Sequence, residues 1–307
     1  MSGHKLRRGE IVLLAWLLTL LHSTAAVAAY PGANGRIAFA RGNNGTDVLT
    51  VKPSGKGQME LAAAGTFNSS PVWAPSGRRL LYIRGGDTYG SELMVMRRNG
   101  NKKRKVVEVN GGVQDASWSP SGKQIVFTLE RRRHPGDIFI VDSDGSDLRA
   151  ISSTPAEENT VSWSPSGDRI AFVSNGDIWT MDTSGGDRQR VTVDGTECRS
   201  CGDRYGGFSG LDWAPGGRRL VFAANRGDGT SYIYTIRRDG RKRDRLTEGM
   251  YPSWSPNGKR IAFSRQASTD FGIFTMRANG THLYRVTRPP RLSGDYHPDW
   301  GPRPTAR

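Results

Sequence analysis

An all-β, six-bladed propeller is the fold class this sequence predicts, and three observations carry the prediction. First, a short motif recurs along the chain as Trp73-Ala74-Pro75-Ser76-Gly77, Trp118-Ser119-Pro120-Ser121-Gly122, Trp163-Ser164-Pro165-Ser166-Gly167, Trp213-Ala214-Pro215-Gly216-Gly217 and Trp254-Ser255-Pro256-Asn257-Gly258. Second, these tryptophans lie 45, 45, 50 and 41 residues apart, and a truncated copy, Trp300-Gly301-Pro302, follows 46 residues after Trp254. Third, six β-branched and aromatic segments occupy the second-strand position, from Ile37-Ala38-Phe39 to Ile261-Ala262-Phe263, and six more occupy the third. Repeats of roughly 40–50 residues built from short strands are propeller blades.

Each element can be justified within one repeat. In the third, Ala116-Ser117-Trp118 is a short strand ending in the Ser-Pro-Ser-Gly turn, and Gln124–Leu129 is the second strand. Asp137–Val141 is the third, closed by Asp142-Ser143-Asp144-Gly145, and Leu148–Ile151 is the fourth. Proline fixes φ at the start of the first turn, and the following glycine accepts a positive φ. The tryptophan ring is expected to fill the space between neighbouring blades, with its indole N–H reaching a backbone carbonyl. Six of the eight tryptophans sit at this position, and an aromatic binding site would not recur at every structural period.

The two ends explain each other. Blade one starts at Gly35-Arg36-Ile37 without a Trp-Ser-Pro strand, and His297-Pro298-Asp299-Trp300 is that strand with nothing after it. Pairing the C-terminal strand with the first blade closes the ring and removes two sheet edges that would invite aggregation. The propeller is therefore assigned to residues 33–303.

Residues 1–28 read as a signal peptide: Lys5, Arg7 and Arg8, then an apolar run from Ile11 to Leu21, then Ala26-Val27-Ala28 as a cleavage site. The competing reading is an uncleaved anchor, for which the apolar run is short. Cleavage leaves a secreted or periplasmic chain without a transmembrane span. It also leaves most of the +15 formal charge, which favours acidic partners such as an acidic protein or an anionic cell-surface polymer. Export argues against nucleic acid as the target.

The pattern Pro-x-Trp-Ser-Pro-x-Gly, then x-Ile-Ala-Phe, then a Leu-Thr strand resembles the WD40-like (PD40) β-propeller repeats of the TolB family. Pro252-Ser253-Trp254-Ser255-Pro256-Asn257-Gly258, Arg260-Ile261-Ala262-Phe263, Arg245-Leu246-Thr247 and Arg285-Val286-Thr287 carry the likeness. The resemblance implies the propeller fold and a place in the cell envelope. TolB itself is periplasmic and binds a peptidoglycan-associated lipoprotein, and it carries an α/β domain before its propeller. Here blade one follows the leader directly. Related propellers precede hydrolase domains in some exported peptidases.

For catalysis the residues offer little. There is no Gly-x-Ser-x-Gly elbow, and the three histidines beyond the leader, His134, His282 and His297, fall in different repeat phases. No catalytic residue and no cofactor are assigned. Asp47, Glu92, Asp137 and Asp177 all start third strands. Converging, they would suit Ca²⁺ or another divalent ion; the plainer reading is local hydrogen bonding at a strand start. Cys198 and Cys201 lie in the longest interval and read as a small disulfide stapling that loop, ahead of redox or metal roles that would need a helix N-terminus or further ligands.

Two groups of residues are candidates for binding a partner. Three positions before each tryptophan, near one mouth of the channel if the first strand is innermost, stand Ser70, Asp115, Thr160, Gly210, Tyr251 and His297. Their mixed character is that of a recognition surface, and random drift would give the same mixture. Basic clusters recur at the hairpin between strands three and four: Arg97, Arg98, Lys102, Lys103 and Arg104 in blade two, Arg237, Arg238, Arg241 and Lys242 in blade five. They read either as solvated loops or as a positive rim for an anionic partner. The leading expectation is a non-catalytic interaction module of the envelope. The second is an exported hydrolase or lyase, or an anionic-polymer binder, with its site at the channel mouth.

Overall fold

The computed structural model describes residues 31–42, 47–63, 67–86, 90–131, 134–192, 208–225 and 229–304. The leader, residues 1–28, and Cys198 and Cys201 lie outside the described residues.

Six four-stranded antiparallel sheets follow one another along the chain. Blade one comprises β1 (Asn34–Arg41), β2 (Asp47–Val51) and β3 (Met59–Ala62). Blade two runs from β4 (Asn68–Trp73) to β7 (Arg104–Val109), and blade three from β8 (Gly112–Trp118) to β11 (Arg149–Ala150). Blade four runs from β12 (Glu158–Trp163) to β15 (Gln189–Arg190), five from β16 (Phe208–Trp213) to β19 (Asp244–Glu248), and six from β20 (Met250–Trp254) to β23 (Tyr284–Arg285). The last strand, β24 (Asp295–Pro302), pairs with β1, so blade one is completed from the far end of the chain. Ile37 stands opposite Trp300 and Arg41 opposite Asp295. Arg41 Nε donates to the fully buried Asp295 carboxylate at 2.6 Å, which pins the closing register.

The core lies between blades. Among the described residues the buried apolar side chains form six clusters, each shared by two neighbouring blades and each holding one repeat tryptophan. These six tryptophans are between 0 and 5% exposed, as expected for rings that join one blade to the next. Their indole nitrogens behave less uniformly than expected. Trp118 donates to Val72 O and Trp163 to Gly167 O, both at 3.2 Å. The Nε1 atoms of Trp213, Trp254 and Trp300 are buried without an acceptor, so apolar packing, not hydrogen bonding, fixes those rings.

The turn after each tryptophan forms as its residues require. The glycine N–H donates to the carbonyl three residues earlier, as in Gly122 to Ser119 and Gly258 to Ser255, both at 2.8 Å. These turns share one face of the disc with the hairpins between strands three and four, because Arg98 N donates to Arg78 O at 3.0 Å and Arg238 N to Arg218 O at 3.1 Å. The innermost strands begin on the opposite face. The two candidate groups therefore occupy opposite sides of the molecule.

Candidate functional site

The innermost strands are longer than the sequence pattern alone indicates, and each is interrupted. A register shift occurs between Ser69 and Val72, Val113 and Ala116, Asn159 and Val161, Phe208 and Leu211, and Met250 and Ser253, and in β24 between Tyr296 and Asp299. The bulges fall at the positions three before each tryptophan. A bulge bends its strand and re-aims a side chain, and here all six lie around one channel.

Five of the six bulge residues have left-handed backbone: Ser70 (φ 45°), Thr160 (φ 50°), Gly210 (φ 84°), Tyr251 (φ 53°) and His297 (φ 50°). Only Gly210 is free of steric cost there. For the β-branched Thr160 and the bulky Tyr251 the conformation is a true outlier. Asp115 is the exception. Its carboxylate accepts from Ala116 N at 2.9 Å and from Val161 N of the next blade at 3.2 Å.

The bulges touch one another around the ring. Ser70 Oγ lies 3.5 Å from His297 Nδ1. The His297 ring stacks on Tyr251 with centroids 3.8 Å apart and an interplanar angle of 28°. A Cβ on Gly210 would lie 2.8 Å from Tyr251 Cα, so glycine is needed where the tyrosine passes. Residues that the chain separates by more than two hundred positions thus form one continuous mouth from blade two through blades one and six to blade five.

Below the mouth runs a collar of polar residues, each one position before a tryptophan. Asp299 accepts from Trp73 N at 2.7 Å and from Ser253 Oγ at 3.2 Å. Asp212 accepts from Trp254 N at 2.8 Å, Ser117 Oγ from Trp163 N at 3.1 Å, and Ser253 Oγ from Trp300 N at 3.2 Å. In each case the side chain of one blade satisfies the backbone of the next. Asp212 and Asp299 were not singled out from the sequence. The signal was available as a polar residue beside a core tryptophan, in a strand otherwise facing apolar neighbours.

Asp115, Asp212, Asp299, Tyr251 and His297 keep intermediate solvent exposure, yet protein encloses them closely, so the surface they show is that of a narrow channel. Desolvation pushes the Asp115 and Asp299 carboxyls up to about 7, and it raises Asp212 well above the ordinary range. The Asp299 charge adds to the rise at Asp115 and at Asp212. Burial lowers His297 to about 4 and raises the Tyr251 phenol. At neutral pH the imidazole is uncharged and the Asp115 and Asp299 carboxyls sit near their midpoints. Stacking and hydrogen bonding, more than charge, are what this mouth offers.

The other sequence candidates stay apart. Three of the four third-strand acids are tied within their own blades. Glu92 meets Arg84 at 2.5 Å and Lys105 at 3.4 Å, Asp137 lies 4.0 Å from Arg131, and Asp177 takes Arg190 at 2.5 Å and Thr192 Oγ1 at 2.8 Å. Asp47 sits opposite Arg41, with Oδ1 buried and unpartnered. Among the described residues no three His, Cys, Asp or Glu side chains are grouped to hold a metal ion. Asp142–Gly145 is a hairpin, with Gly145 N donating to Asp142 O at 2.8 Å. His134 begins the third strand of blade three, and His282 is exposed on a blade-six hairpin. Arg97, Arg98, Lys102, Lys103 and Arg104 of blade two and Arg237, Arg238, Arg241 and Lys242 of blade five are exposed on the face opposite the mouth.

Comparison with known proteins accords with this geometry. Residues 130–253, less than half of the chain, match the model of the dipeptidyl peptidase IV (DPP IV) N-terminal region, a propeller family. No curated protein matches. Among solved structures, TolB from Acinetobacter baumannii is similar with a TM-score of 0.74 and 17% identity, over 88% of this chain and 67% of that one. The structure of putative TolB from Agrobacterium tumefaciens gives 0.63 and 21%, over 83% and 90%. Oligogalacturonate lyase in complex with manganese gives 0.52 and 14%, over 75% and 71%. What these likenesses establish is architecture: the chain is a six-bladed β-propeller built like that of TolB.

Proposed function

We propose that this chain is an exported, non-catalytic propeller that binds a protein partner of the cell envelope through its channel mouth, in the periplasm or outside the cell. One observation carries the reading. Ser70, Thr160, Tyr251 and His297 hold left-handed backbone at bulges where blade five makes do with glycine. Strain of this kind costs of order 1–3 kcal/mol per residue, persists only where the surrounding structure holds it, and clusters at functional sites. A segment of a partner entering the mouth would meet the Tyr251–His297 stack, with the buried Ser70 hydroxyl beside it, held in place by the collar beneath. The resemblance of the fold to TolB and the leader-like N-terminus support the envelope setting. No cofactor is required.

A second reading, an exported hydrolase or lyase at the same mouth, draws on Asp115 and Asp299, whose carboxyls at about 7 suit acid–base work. Both already accept backbone N–H groups in inter-blade contacts, which favours the structural role. The test is a photo-crosslinking residue introduced at Ser70, with the same residue at Lys259 on the other face as control, in cells that export the chain. The expected result is one discrete protein adduct from position 70 alone. Equal labelling from both positions, or none from position 70, would rule the mouth out.

A further inference from the structure

The face opposite the mouth carries a second feature, independent of that reading. A groove of about 880 Å³ opens between blades one and two, lined by Arg36, Arg78, Arg79, Arg97 and Arg98 together with Met59, Ser76 and Asn99. Five guanidinium groups share it, and among the described residues no carboxylate lines it.

The repeats provide their own control. The first arginine of the second strand is a recurring structural device. Arg169, Arg219 and Arg260 all reach a threonine hydroxyl on the third strand, at 3.3, 2.5 and 3.1 Å. In blades four and five a carboxylate then neutralises it, Asp187 at 2.5 Å and Asp244 at 2.9 Å. Among the described residues no carboxylate does so in blades one, two and six, and of these only blades one and two bring further arginines to the same groove. Arg36 is held by Thr50 Oγ1 at 2.9 Å, Thr50 O at 3.1 Å and the Gly57 carbonyl. Arg79 reaches the Gly122 carbonyl at 3.3 Å and lies over the Trp118 ring at 5.4 Å.

The hairpins differ in the same sense. Blade five reads Arg237-Arg238-Asp239-Gly240-Arg241-Lys242-Arg243-Asp244, and Asp239 lies 3.5 Å from Arg237. Blade two reads Arg97-Arg98-Asn99-Gly100-Asn101-Lys102-Lys103-Arg104, so an amide replaces the first acid and an arginine the second. The neighbouring charge of Arg98 adds to burial in lowering the Arg36 pKa, and Arg104 does the same to Arg79. Concentrated like charge of this kind destabilises the folded chain unless an anion joins it.

We propose that the groove between blades one and two binds a phosphate-bearing polyanion, with Arg36, Arg79, Arg97 and Arg98 as its ligands. Guanidinium forks match phosphoryl oxygens bidentately. Several close cations call for a ligand that concentrates charge, and Lys102, Lys103 and Arg104 extend the positive surface beyond the groove for a chain to follow.

The test is calorimetric titration of the full chain with linear inorganic polyphosphate, at low and near-physiological salt, using two charge-matched variants. Arg97→Glu/Arg98→Glu alters the groove, and Arg237→Glu/Arg238→Glu makes the same charge change at the equivalent exposed hairpin of blade five. Loss of two charge-assisted contacts weakens binding by about 30-fold or more, so the first variant is expected to fall by that much and the second by about threefold or less. Inorganic phosphate is expected to compete at the same groove, and affinity to fall steeply with salt. The proposal is overturned if polyphosphate does not bind at low salt, if both variants lose equally, or if polyglutamate binds as tightly as polyphosphate. Unchanged thermal unfolding of both variants shows that any loss is local.

Discussion

Thr160 isolates the cost of the mouth in a single residue. Its β-branched side chain sits at φ 50°, where glycine would be unstrained. Thr160→Gly is therefore expected to keep full stability or to gain up to about 1 kcal/mol, read from chemical denaturation; a loss of more than about 1 kcal/mol would show that the backbone there is not under strain. The channel's titratable groups make a second residue-scale prediction. Asp115 has a folded pKa of about 7 against an ordinary 3.8, so the folded chain holds the proton more tightly. Its contribution to stability is present at low pH and is lost as pH rises from about 4 through 7. His297, lowered to about 4 from 6.5, acts oppositely: its contribution is present above 6.5 and is lost as pH falls through 4. Asp115→Asn should thus gain thermal stability relative to wild type between pH 5 and pH 8, and His297→Gln should gain it between pH 7 and pH 4.5. Parallel pH profiles for all three proteins would contradict this electrostatic reading.

At the scale of elements, closure of the ring depends on how tightly β24 approaches blade two. Position 301 is glycine where the other repeats have alanine or serine, and a Cβ there would overlap the Trp73 ring. Gly301→Ala should cost about 2 kcal/mol from overpacking, seen as a melting point lower by about 4–8 °C, whereas Ser255→Ala at the equivalent turn of blade six should cost less. Strand order, blade number and closure were all legible in the sequence, because six blades impose the same demands on Trp, Pro, Gly and apolar alternation. The bulges were not. Left-handed backbone is held here by serine, threonine, tyrosine and histidine, whose identities carry no such signal, and Gly210 alone hinted at it. The collar was missed for a related reason: Asp212 and Asp299 look like surface residues until β24 and its neighbours are brought around the channel.

For the whole molecule, the two faces differ in charge. One presents a mouth in which burial holds back the charge of the Asp115 and Asp299 carboxyls and of the His297 imidazole. The other gathers arginines: a carboxylate meets Arg169 in blade four and Arg219 in blade five, and among the described residues none meets Arg36 or Arg79 in blades one and two. Both groups of candidate residues could be named from the repeat phase, yet the sequence alone did not separate them onto opposite faces. Nor did it show which basic cluster is compensated, since that turns on Asp239 and Asp244 meeting Arg237 and Arg219. Partner binding at the mouth is open to native mass spectrometry of the full chain, recovered from the exported fraction of its own cells, with wild type run beside Tyr251→Ala/His297→Ala. Wild type is predicted to carry a polypeptide at fixed stoichiometry and the double variant to lack it while remaining folded. A variant that keeps the same partner at the same ratio, or a wild-type chain that carries no polypeptide, would show that the mouth is not the binding surface.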